Sequence, residues 1–459
     1  MLHDTIDLSS FGGGVNSVAI YKGLVAVAVE ADPKQDPGTV AFFDADGNYE
    51  NDVTVGALPD MLTFTKKGKY VLVANEGEPD DYCEGNNDPE GSVSIINLKN
   101  GVDNATVTTA DFNFWDDKKG LLKSQGVRIF GPGATVSQDL EPEYITPLPK
   151  GKKAIVSLQE NNAFAILNYK TGKIETIVGL GTKNHKRTKN ALDPSDDDGG
   201  INIQPWPVKG MYQPDAIDSF KYQGQNFVAS ANEGDAREYF CLLGGEPKSD
   251  ENEDPETEDE RVKDLVLDPV NFPDAATLQM DENLGRLNVS LFKGDQGKDG
   301  DFERLFSFGA RSFSIWNQYG QLVYDSGDDF EQITAVANEF NNDNDENDFD
   351  GRSDAKGPEP EAIKVAKVFG ERYAFIGLER IGGVMIYNIS DPYAPYFIDY
   401  INNRDFTQDP EGPTPENALD LGPESIIFIK KGDSPVNKNL LVVANEVSGT
   451  TTIYQIVKD

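Results

Sequence analysis

Histidine and cysteine are scarce in this chain of 459 residues. The two histidines, His3 and His185, are too few for the histidine-rich sites of zinc hydrolases. The two cysteines, Cys83 and Cys241, are compatible with one disulfide or with two free thiols, and the sequence leaves both open. The Gly-x-Ser-x-Gly elbow, the P-loop and the His-Glu-x-x-His motif are also missing. Any hydrolysis would therefore need a carboxylate-bound metal to activate water.

Positive charge is in short supply as well. Aspartate and glutamate number 79 against 41 lysines and arginines, which gives a formal net charge of −38. Such a surface repels nucleic acid and anionic lipid and attracts divalent cations and basic partners. An acidic coat that serves only solubility is the alternative interpretation. No stretch approaches the length of a transmembrane segment, and Met1–Asp4 lack the pattern of a signal peptide, so the expected chain is either cytosolic or a mature, trimmed extracellular or cell-surface form.

One unit recurs five times: a Pro–acid pair opens an apolar strand, and the strand after it ends beside a glutamate. In an antiparallel hairpin, the start of one strand and the end of the next lie at the same edge. Ten carboxylates are therefore predicted on one face of a repeat protein, and they are the candidate metal ligands: Asp60, Glu76, Glu143, Glu160, Asp215, Glu233, Glu361, Glu379, Glu424 and Glu446.

The repeats predict an all-β fold, a seven-bladed β-propeller with long acidic loop insertions on one face. Each unit contains apolar runs and turn signals for four short strands, which is the pattern of a propeller blade. We expect one domain over residues 1–459, with blades that begin near residues 14, 58, 140, 212, 284, 358 and 423. The unit at 284 has strands without the acids, and the acidic insertion at 246–268 is expected to be mobile.

Calcium is the cation that such a face would bind best. It takes six to eight oxygen ligands, mainly from carboxylates, amides and backbone carbonyls. The alternative is that each acid caps its own blade or pairs with a nearby arginine. Arg128, Arg237 and Arg380 lie close to these acids in the sequence and would hold a phosphate if the protein were a phosphatase. Salt bridges to the same glutamates are the competing role for these arginines.

The longest motifs resemble the choice-of-anchor I family over nearly the whole chain. They are the stretches 58–65, 71–79, 130–135, 207–217, 231–239 and 356–361. This family includes mesenchyme-specific cell-surface glycoproteins of biomineralisation and bacterial relatives described as alkaline phosphatase-like. The resemblance implies a secreted or surface-tethered propeller with roles related to calcium.

The function expected from these observations is a secreted or cell-surface calcium-binding β-propeller with a surface, matrix or biomineralisation role. The alternative is a calcium-dependent phosphoesterase of the atypical alkaline phosphatase or phytase-like type. Calcium is the expected cofactor, and another divalent metal is left open. The expected partners are divalent cations, with matrix or mineral components or phosphate esters, and no nucleic acid.

Overall fold

The computed structural model describes residues 5–83, 87–239, 257–345 and 347–458. The chain folds into two compact units. Unit 1 comprises residues 1–180, 237–257 and 318–320, and unit 2 comprises residues 181–236, 258–317 and 321–459. The expectation of one domain over the whole chain stays a prediction.

Unit 1 contains three four-stranded antiparallel sheets, each formed by strands that follow one another in the sequence. Sheet 1 consists of β1 (Gly14–Tyr21), β2 (Leu24–Glu30), β3 (Pro37–Phe43) and β4 (Tyr49–Ala57); sheet 2 of β5 (Pro59–Phe64), β6 (Tyr70–Asn75), β7 (Ser92–Asn97) and β8 (Thr106–Asp111); and sheet 3 of β9 (Pro142–Pro147), β10 (Lys153–Leu158), β11 (Ala163–Asn168) and β12 (Lys173–Gly179).

The described residues of unit 2 form sixteen further strands. In chain order they are β13 (Thr182–Asn184), β14 (Val208–Met211), β15 (Ile217–Tyr222), β16 (Gln225–Asn232), β17 (Asp259–Arg261), β18 (Asn288–Ser290), β19 (Leu305–Ser307), β20 (Ser312–Asn317), β21 (Leu322–Asp325), β22 (Pro360–Val368), β23 (Glu371–Leu378), β24 (Val384–Asn388), β25 (Tyr396–Ile401), β26 (Pro423–Ile429), β27 (Asn439–Asn445) and β28 (Thr450–Ile456).

These strands form four sheets. Sheet 4 has the order β13-β14-β19-β18-β17, with β14 and β19 parallel, and sheet 5 has the order β15-β16-β20-β21. Sheet 6 is the meander β22 to β25, and sheet 7 is the three-stranded meander β26 to β28.

Helices are short and lie in the connections. They are α1 (Lys119–Ser124), α2 (Val136–Asp139), α3 (Ala275–Leu278) and α4 (Asp329–Ala337), with 3₁₀ turns at Val102–Asn104, Asn113–Lys118, Thr188–Asn190, Val262–Asp264 and Pro415–Ala418 and a π-type turn at Asp281–Gly285. Within the described ranges, no helix has the length and apolar character needed to cross a bilayer.

Successive side chains along a strand point to opposite faces of its sheet, and this alternation determines which residues join which part of the buried core. In β6, Leu72 and Ala74 join the buried cluster that includes Val156 of sheet 3. The alternate residues Val71 and Val73 join a different cluster that extends into sheet 1. Both faces of this strand are therefore buried, which explains its continuous apolar sequence.

The all-β, β-propeller fold class is confirmed, because four-stranded antiparallel meanders are the unit of propeller blades. The blade number stays a prediction. The strands expected to form the blade near residue 284 belong to two different sheets. β18 and β19 join sheet 4, whereas β20 is the third strand of sheet 5. A connection of about eighty residues separates β16 from β20, and the expectation assumed that strands adjacent in sequence would pair.

Two expectations fall partly outside the described residues. Residues 246–256 of the acidic insertion lie outside them, whereas 257–268 contain β17 and a 3₁₀ turn with Val262 fully buried, so this part belongs to the folded unit. Cys83 is disulfide-bonded, and Cys241 lies outside the described residues.

Candidate functional site

The Pro–acid openings and the glutamate ends of each repeat meet at one edge of a hairpin, as the sequence predicts. Pro59 lies opposite Asn75 in sheet 2, and Pro423 lies opposite Asn445 in sheet 7. Pro360 likewise lies opposite Leu378, directly before Glu379. The proline fits here because it starts its strand, where its missing N–H interrupts no ladder.

A β-bulge places the acid of each opening in sheets 2, 3, 6 and 7. In sheet 2, Asp60 and Met61 together lie opposite one residue of β6, and in sheet 6 Glu361 and Ala362 lie opposite one residue of β23. Bulges bend a strand and redirect a side chain, and they occur often beside functional sites. The repeated bulge therefore marks these acids as positioned groups.

The residue before the proline is held in a left-handed backbone conformation in three repeats. Its φ is 45° at Leu58, 37° at Gln213 and 45° at Glu359. Such a conformation costs on the order of 1–3 kcal/mol in a residue other than glycine. The carbonyls of Leu58 and Glu359 each accept the N–H of the repeat's terminal glutamate, Glu76 or Glu379, at 2.8 Å. This bond draws both acids of a repeat to the same strand edge.

Unit 2 contains two carboxylate triads with metal-ligand spacing. One carboxylate oxygen from each of Asp215, Glu233 and Glu361 lies within 4.8 Å of the others. The same holds for Glu233, Glu359 and Glu379, so the triads share Glu233. We call the first group the upper triad and the second the lower triad. Glu361 lies in β22, and the other four residues lie within two positions of the ends of strands in sheets 5 and 6.

The acids of unit 2 strongly oppose one another's ionisation. Burial, followed by a hydrogen bond and charge repulsion from Glu424, raises the pKa of Glu361 well above its usual value. Burial and the charges of Glu233 and Glu359 raise the pKa of Glu379 to about 8. Burial also raises the pKa of Glu233. The raised pKa values favour the protonated forms of these acids, and a bound cation would act in the opposite direction.

Lys356 already supplies a cation to the lower triad. Its Nζ lies 2.7 Å from Glu233 Oε1 and 3.4 Å from Glu359 Oε2. Glu359 is fully buried and also accepts a hydrogen bond from Arg352 Nε at 2.6 Å. Burial alone would raise the pKa of Glu359, but Lys356 and Arg352 lower it to about 2. The lower triad is therefore neutralised largely by the protein itself.

Four of the predicted acids lie in unit 1. Burial raises the pKa of Glu76, and the negative charges of Glu78, Asp60 and Glu160 raise it further. Glu143 occupies the bulge of β9, between Pro142 and Ile145. Asp60, Glu76 and Glu160 are thus near enough to affect one another.

A buried arginine neutralises the neighbouring acids of unit 1. Arg237 Nη2 lies 2.5 Å from Glu141 Oε2, and its Nη1 lies 3.4 Å from Asp139 Oδ1. The Arg237 side chain is fully buried and also bonds to Tyr82 Oη at 2.9 Å. Its guanidinium lies 4.5 Å from the centre of the Phe130 ring. Arg237 therefore lies at the centre of a buried ion and hydrogen-bond network.

The other two predicted anion-binding arginines also have protein partners. Arg128 is buried, donates to the backbone carbonyl of Glu160 at 2.6 Å and lies over the Phe130 ring at 4.2 Å. Arg380 Nε lies 3.1 Å from Glu379. The role of these arginines in anion binding stays a prediction, as does metal binding by the ten acids.

The structure brings together all six predicted acids of unit 2. Asp215, Glu233 and Glu361 form the upper triad, Glu379 belongs to the lower triad, and exposed Glu424 and Glu446 extend the cluster through Glu361. The pattern search missed Glu141 and Glu359, which occupy equivalent positions directly before the Pro–acid pair. The same position holds Leu58, Gln213 and Gly422 in the other repeats, so no shared residue type marks it in the sequence.

The asparagines that precede several terminal glutamates have a structural role. Asn75 Nδ2 donates to the hydroxyls of Ser92 and Ser94 on the next strand, at 3.1 and 3.0 Å. Asn232 bonds in the same way to Ser312 and Ser314. These side chains tie the strand ends together and so fix the edge that carries the acids.

Together these features define an all-β protein of the β-propeller class with carboxylates clustered at its strand ends. The chain belongs to the choice-of-anchor I family, since the family's domain model matches residues 2–392. This match confirms the resemblance seen in the sequence.

Two relatives show similarity over parts of the chain. Gigasin-3a of Magallana gigas is 29% identical over 191 residues, which cover 39% of this chain and 67% of that protein. The mesenchyme-specific cell surface glycoprotein of Strongylocentrotus purpuratus is 29% identical over 284 residues, covering 56% of this chain and 36% of that protein. The match therefore spans little more than a third of the second relative.

Among solved structures, Kuenenia stuttgartiensis hydrazine synthase matches with a TM-score of 0.45 and 11% identity, over 97% of this chain and 84% of that chain. A similarity at this level supports no conclusion about what the present chain binds.

The Arg237 network predicts a large cost for removing its cation. Arg237→Met leaves Glu141 and Asp139 buried without their counter-ion, and we expect a loss of about 3–5 kcal/mol in the free energy of unfolding, measured in urea. Replacing Glu141 by Met as well should recover part of that loss. The exposed Arg187→Met is the matched control and should change stability by less than about 0.5 kcal/mol. Equal stability of Arg237→Met and the wild type would contradict the assignment.

Proposed function

We propose that this protein binds a divalent cation, calcium in the first place, at the upper triad of Asp215, Glu233 and Glu361, on the extracellular side of the cell. The observation that carries the proposal is the convergence of these three carboxylates within 4.8 Å on two neighbouring sheets. Three like charges at this spacing repel one another strongly unless protons or a cation neutralise them.

The donor chemistry favours calcium over a transition metal. All three side chains offer hard carboxylate oxygens, whereas zinc and copper sites draw on imidazole and thiolate. Calcium accepts six to eight oxygens in flexible geometry, so backbone carbonyls and water would complete the shell. Magnesium requires near-ideal octahedral geometry and retains its water more firmly, which makes it the weaker competitor.

Lys356 directs the cation to one triad. Its ammonium contacts two acids of the lower triad, Glu233 and Glu359, but only the shared Glu233 of the upper triad, so a metal at the lower triad would have to displace a covalently attached cation. The upper triad contains Glu361, whose pKa is raised well above its usual value and whose charge a metal would stabilise. We therefore assign the metal to the upper triad.

The cellular role is proposed from the family and from one relative whose name places it at the cell surface. Extracellular calcium modules bind with dissociation constants of about 10⁻⁴–10⁻³ M, and a site of three carboxylates is suited to that range. A calcium-loaded surface or matrix protein, with a role in matrix or mineral formation, agrees with these observations. The phosphoesterase alternative has less support, because Arg237 and Arg380 are already paired with carboxylates.

Thermal unfolding in calcium, in magnesium and in chelator is the first test. A ligand that binds only the folded state raises the midpoint by mass action. We expect calcium to raise the unfolding midpoint more than magnesium at the same concentration. Identical midpoints in calcium and in chelator would overturn the proposal.

Loss of one upper-triad ligand should weaken calcium binding selectively. For Glu361→Gln, calorimetric titration should show at least the roughly 10- to 100-fold loss that follows removal of a residue supporting a metal site. Glu143→Gln is the matched control, since it makes the same change at the equivalent bulge of sheet 3. Equal weakening by both variants would mean that calcium associates non-specifically with the acidic residues and does not bind at the upper triad.

Removing the built-in cation should create a second metal site. Lys356→Met keeps most of the length of the side chain and leaves the lower triad of Glu233, Glu359 and Glu379 without its ammonium. We expect the calcium stoichiometry to rise by one and the calcium-dependent increase in unfolding midpoint to grow. An unchanged stoichiometry in a folded variant would show that Lys356 does not occupy a cation position.

The raised pKa values predict a specific pH dependence. Free glutamate titrates near 4.3, whereas burial and like charges raise the pKa of Glu379 to about 8. Between these values the folded state binds more protons than the unfolded state, so in chelator the free energy of unfolding falls as pH rises.

Calcium at the upper triad competes with the protons of Glu361, whose pKa is also raised, so calcium affinity should increase with pH. Unfolding midpoints measured from pH 5 to 9, in calcium and in chelator, should diverge toward high pH. Glu379→Gln should flatten the decline in chelator. Parallel profiles under the two conditions would contradict this mechanism.

A further inference from the structure

The turns of sheets 2 and 3 carry a dense group of lysines on a chain that is otherwise strongly acidic. The connections β5–β6, β7–β8, β9–β10 and β11–β12 all leave the sheets at the end opposite the Pro–acid edges. In and beside these turns are nine exposed lysines, with only two acids, Asp103 and Glu175, among them. We call these lysines the basic turn surface: Lys66, Lys67, Lys69, Lys99, Lys150, Lys152, Lys153, Lys170 and Lys173.

Contacts between the turns show that this is one surface. Lys99 from sheet 2 and Lys170 from sheet 3 lie over the ring of Tyr70, at 4.5 and 4.7 Å from its centre. Lys170 Nζ also donates to Tyr70 Oη at 2.9 Å. Tyr169 links the remaining turn, since its N–H donates to the carbonyl of Lys152 at 3.1 Å. The four turns therefore lie side by side within unit 1.

Holding like charges together is unfavourable unless something offsets it. Here the two lysines share one aromatic ring, and the pKa of Tyr70 is lowered because hydrogen bonds and charges from Lys170 and Lys99 outweigh burial, which alone would raise it. The net charge of −38 would make a dispersed arrangement of lysines beside acids more favourable. A concentrated basic surface on such a chain is the electrostatic footprint of an anionic ligand.

We propose that the basic turn surface binds a linear polyanionic polysaccharide, a sulfated or carboxylated glycan chain. The positive groups are all lysines, which act as mobile point charges, and none of the four turns contains an arginine for bidentate phosphate recognition. Tyr70 is buried and Tyr169 is partly buried, so neither ring exposes a full face on which a base could stack. Sites for single-stranded nucleic acids use such exposed aromatic faces. A narrow glycan chain can follow the lysines without contacting the acidic surface around them. A flat anionic membrane would cover a larger area and would contact that acidic surface as well.

The test uses dextran sulfate as the probe and uncharged dextran as its control, with calorimetric titration at several salt concentrations in chelator. We expect binding to dextran sulfate only, with an affinity that falls as salt rises, because released counter-ions drive the association. Chelator removes any bridge formed by calcium on the acidic cluster, so the result does not depend on the proposed metal site.

The decisive variant replaces Lys66, Lys67 and Lys69 by glutamine. Its matched control replaces Lys430, Lys431 and Lys438, which are exposed lysines in the β26–β27 turn of unit 2. The first variant should weaken binding at least tenfold and reduce the salt slope by roughly one per lysine removed, whereas the control should bind like the wild type.

Three outcomes would overturn the proposal. They are no binding of dextran sulfate at low salt, equal weakening by the two triple variants, and tighter binding to phosphatidylserine vesicles or to single-stranded DNA than to dextran sulfate. The last outcome would assign the surface to a membrane or a nucleic acid instead. Circular dichroism spectra that match the wild type would establish that each variant is folded.

Discussion

Repulsion between carboxylates gathered at the strand ends is the constraint on which the site depends. Proline, the bulge and the carbonyl of the residue before the proline all bring acids to one edge of a hairpin. That geometry is unfavourable unless the charge is offset. The protein offsets it in two ways within its own chain, by pKa values that favour the protonated acids and by buried basic side chains, and the proposed calcium would add a third.

The two units differ in how completely their own basic side chains neutralise the clustered acids. In unit 1, Arg237 pairs with Glu141 and Asp139 and is fully enclosed, so that cluster has the character of a structural network. In unit 2, Lys356 pairs with Glu233 and Glu359, and repulsion persists at Glu361 and Glu379. The same repeat thus produces a closed network in one unit and, in the other, a group of acids at which we propose a cation.

Much of the local geometry could be predicted from the sequence. Proline starts a strand, apolar runs define the hairpins, and an antiparallel pair brings its ends together, so the edge that carries Asp60, Glu361 and Glu424 follows directly. The pairing of β20 with β16 could not be predicted, because the long connection hides which strands are neighbours. Glu359 escaped notice for another reason. Its importance comes from Lys356, Arg352 and the left-handed backbone, which are tertiary features without a fixed spacing in the sequence.

The opposite ends of the strands in unit 1 carry charge of opposite sign. Acids such as Asp60 and Glu76 lie at the edge where the repeats open, and the lysines around Tyr70 lie at the far turns. This arrangement gives the unit an electric dipole along the strand direction, which Arg237 reduces at the acidic edge. Such a dipole experiences a torque in the field of a charged surface before any contact forms, so the unit would approach an anionic matrix with its turns leading and its acids facing away. Orientation during approach is thus a property of the fold itself, set by which end of a hairpin each residue occupies.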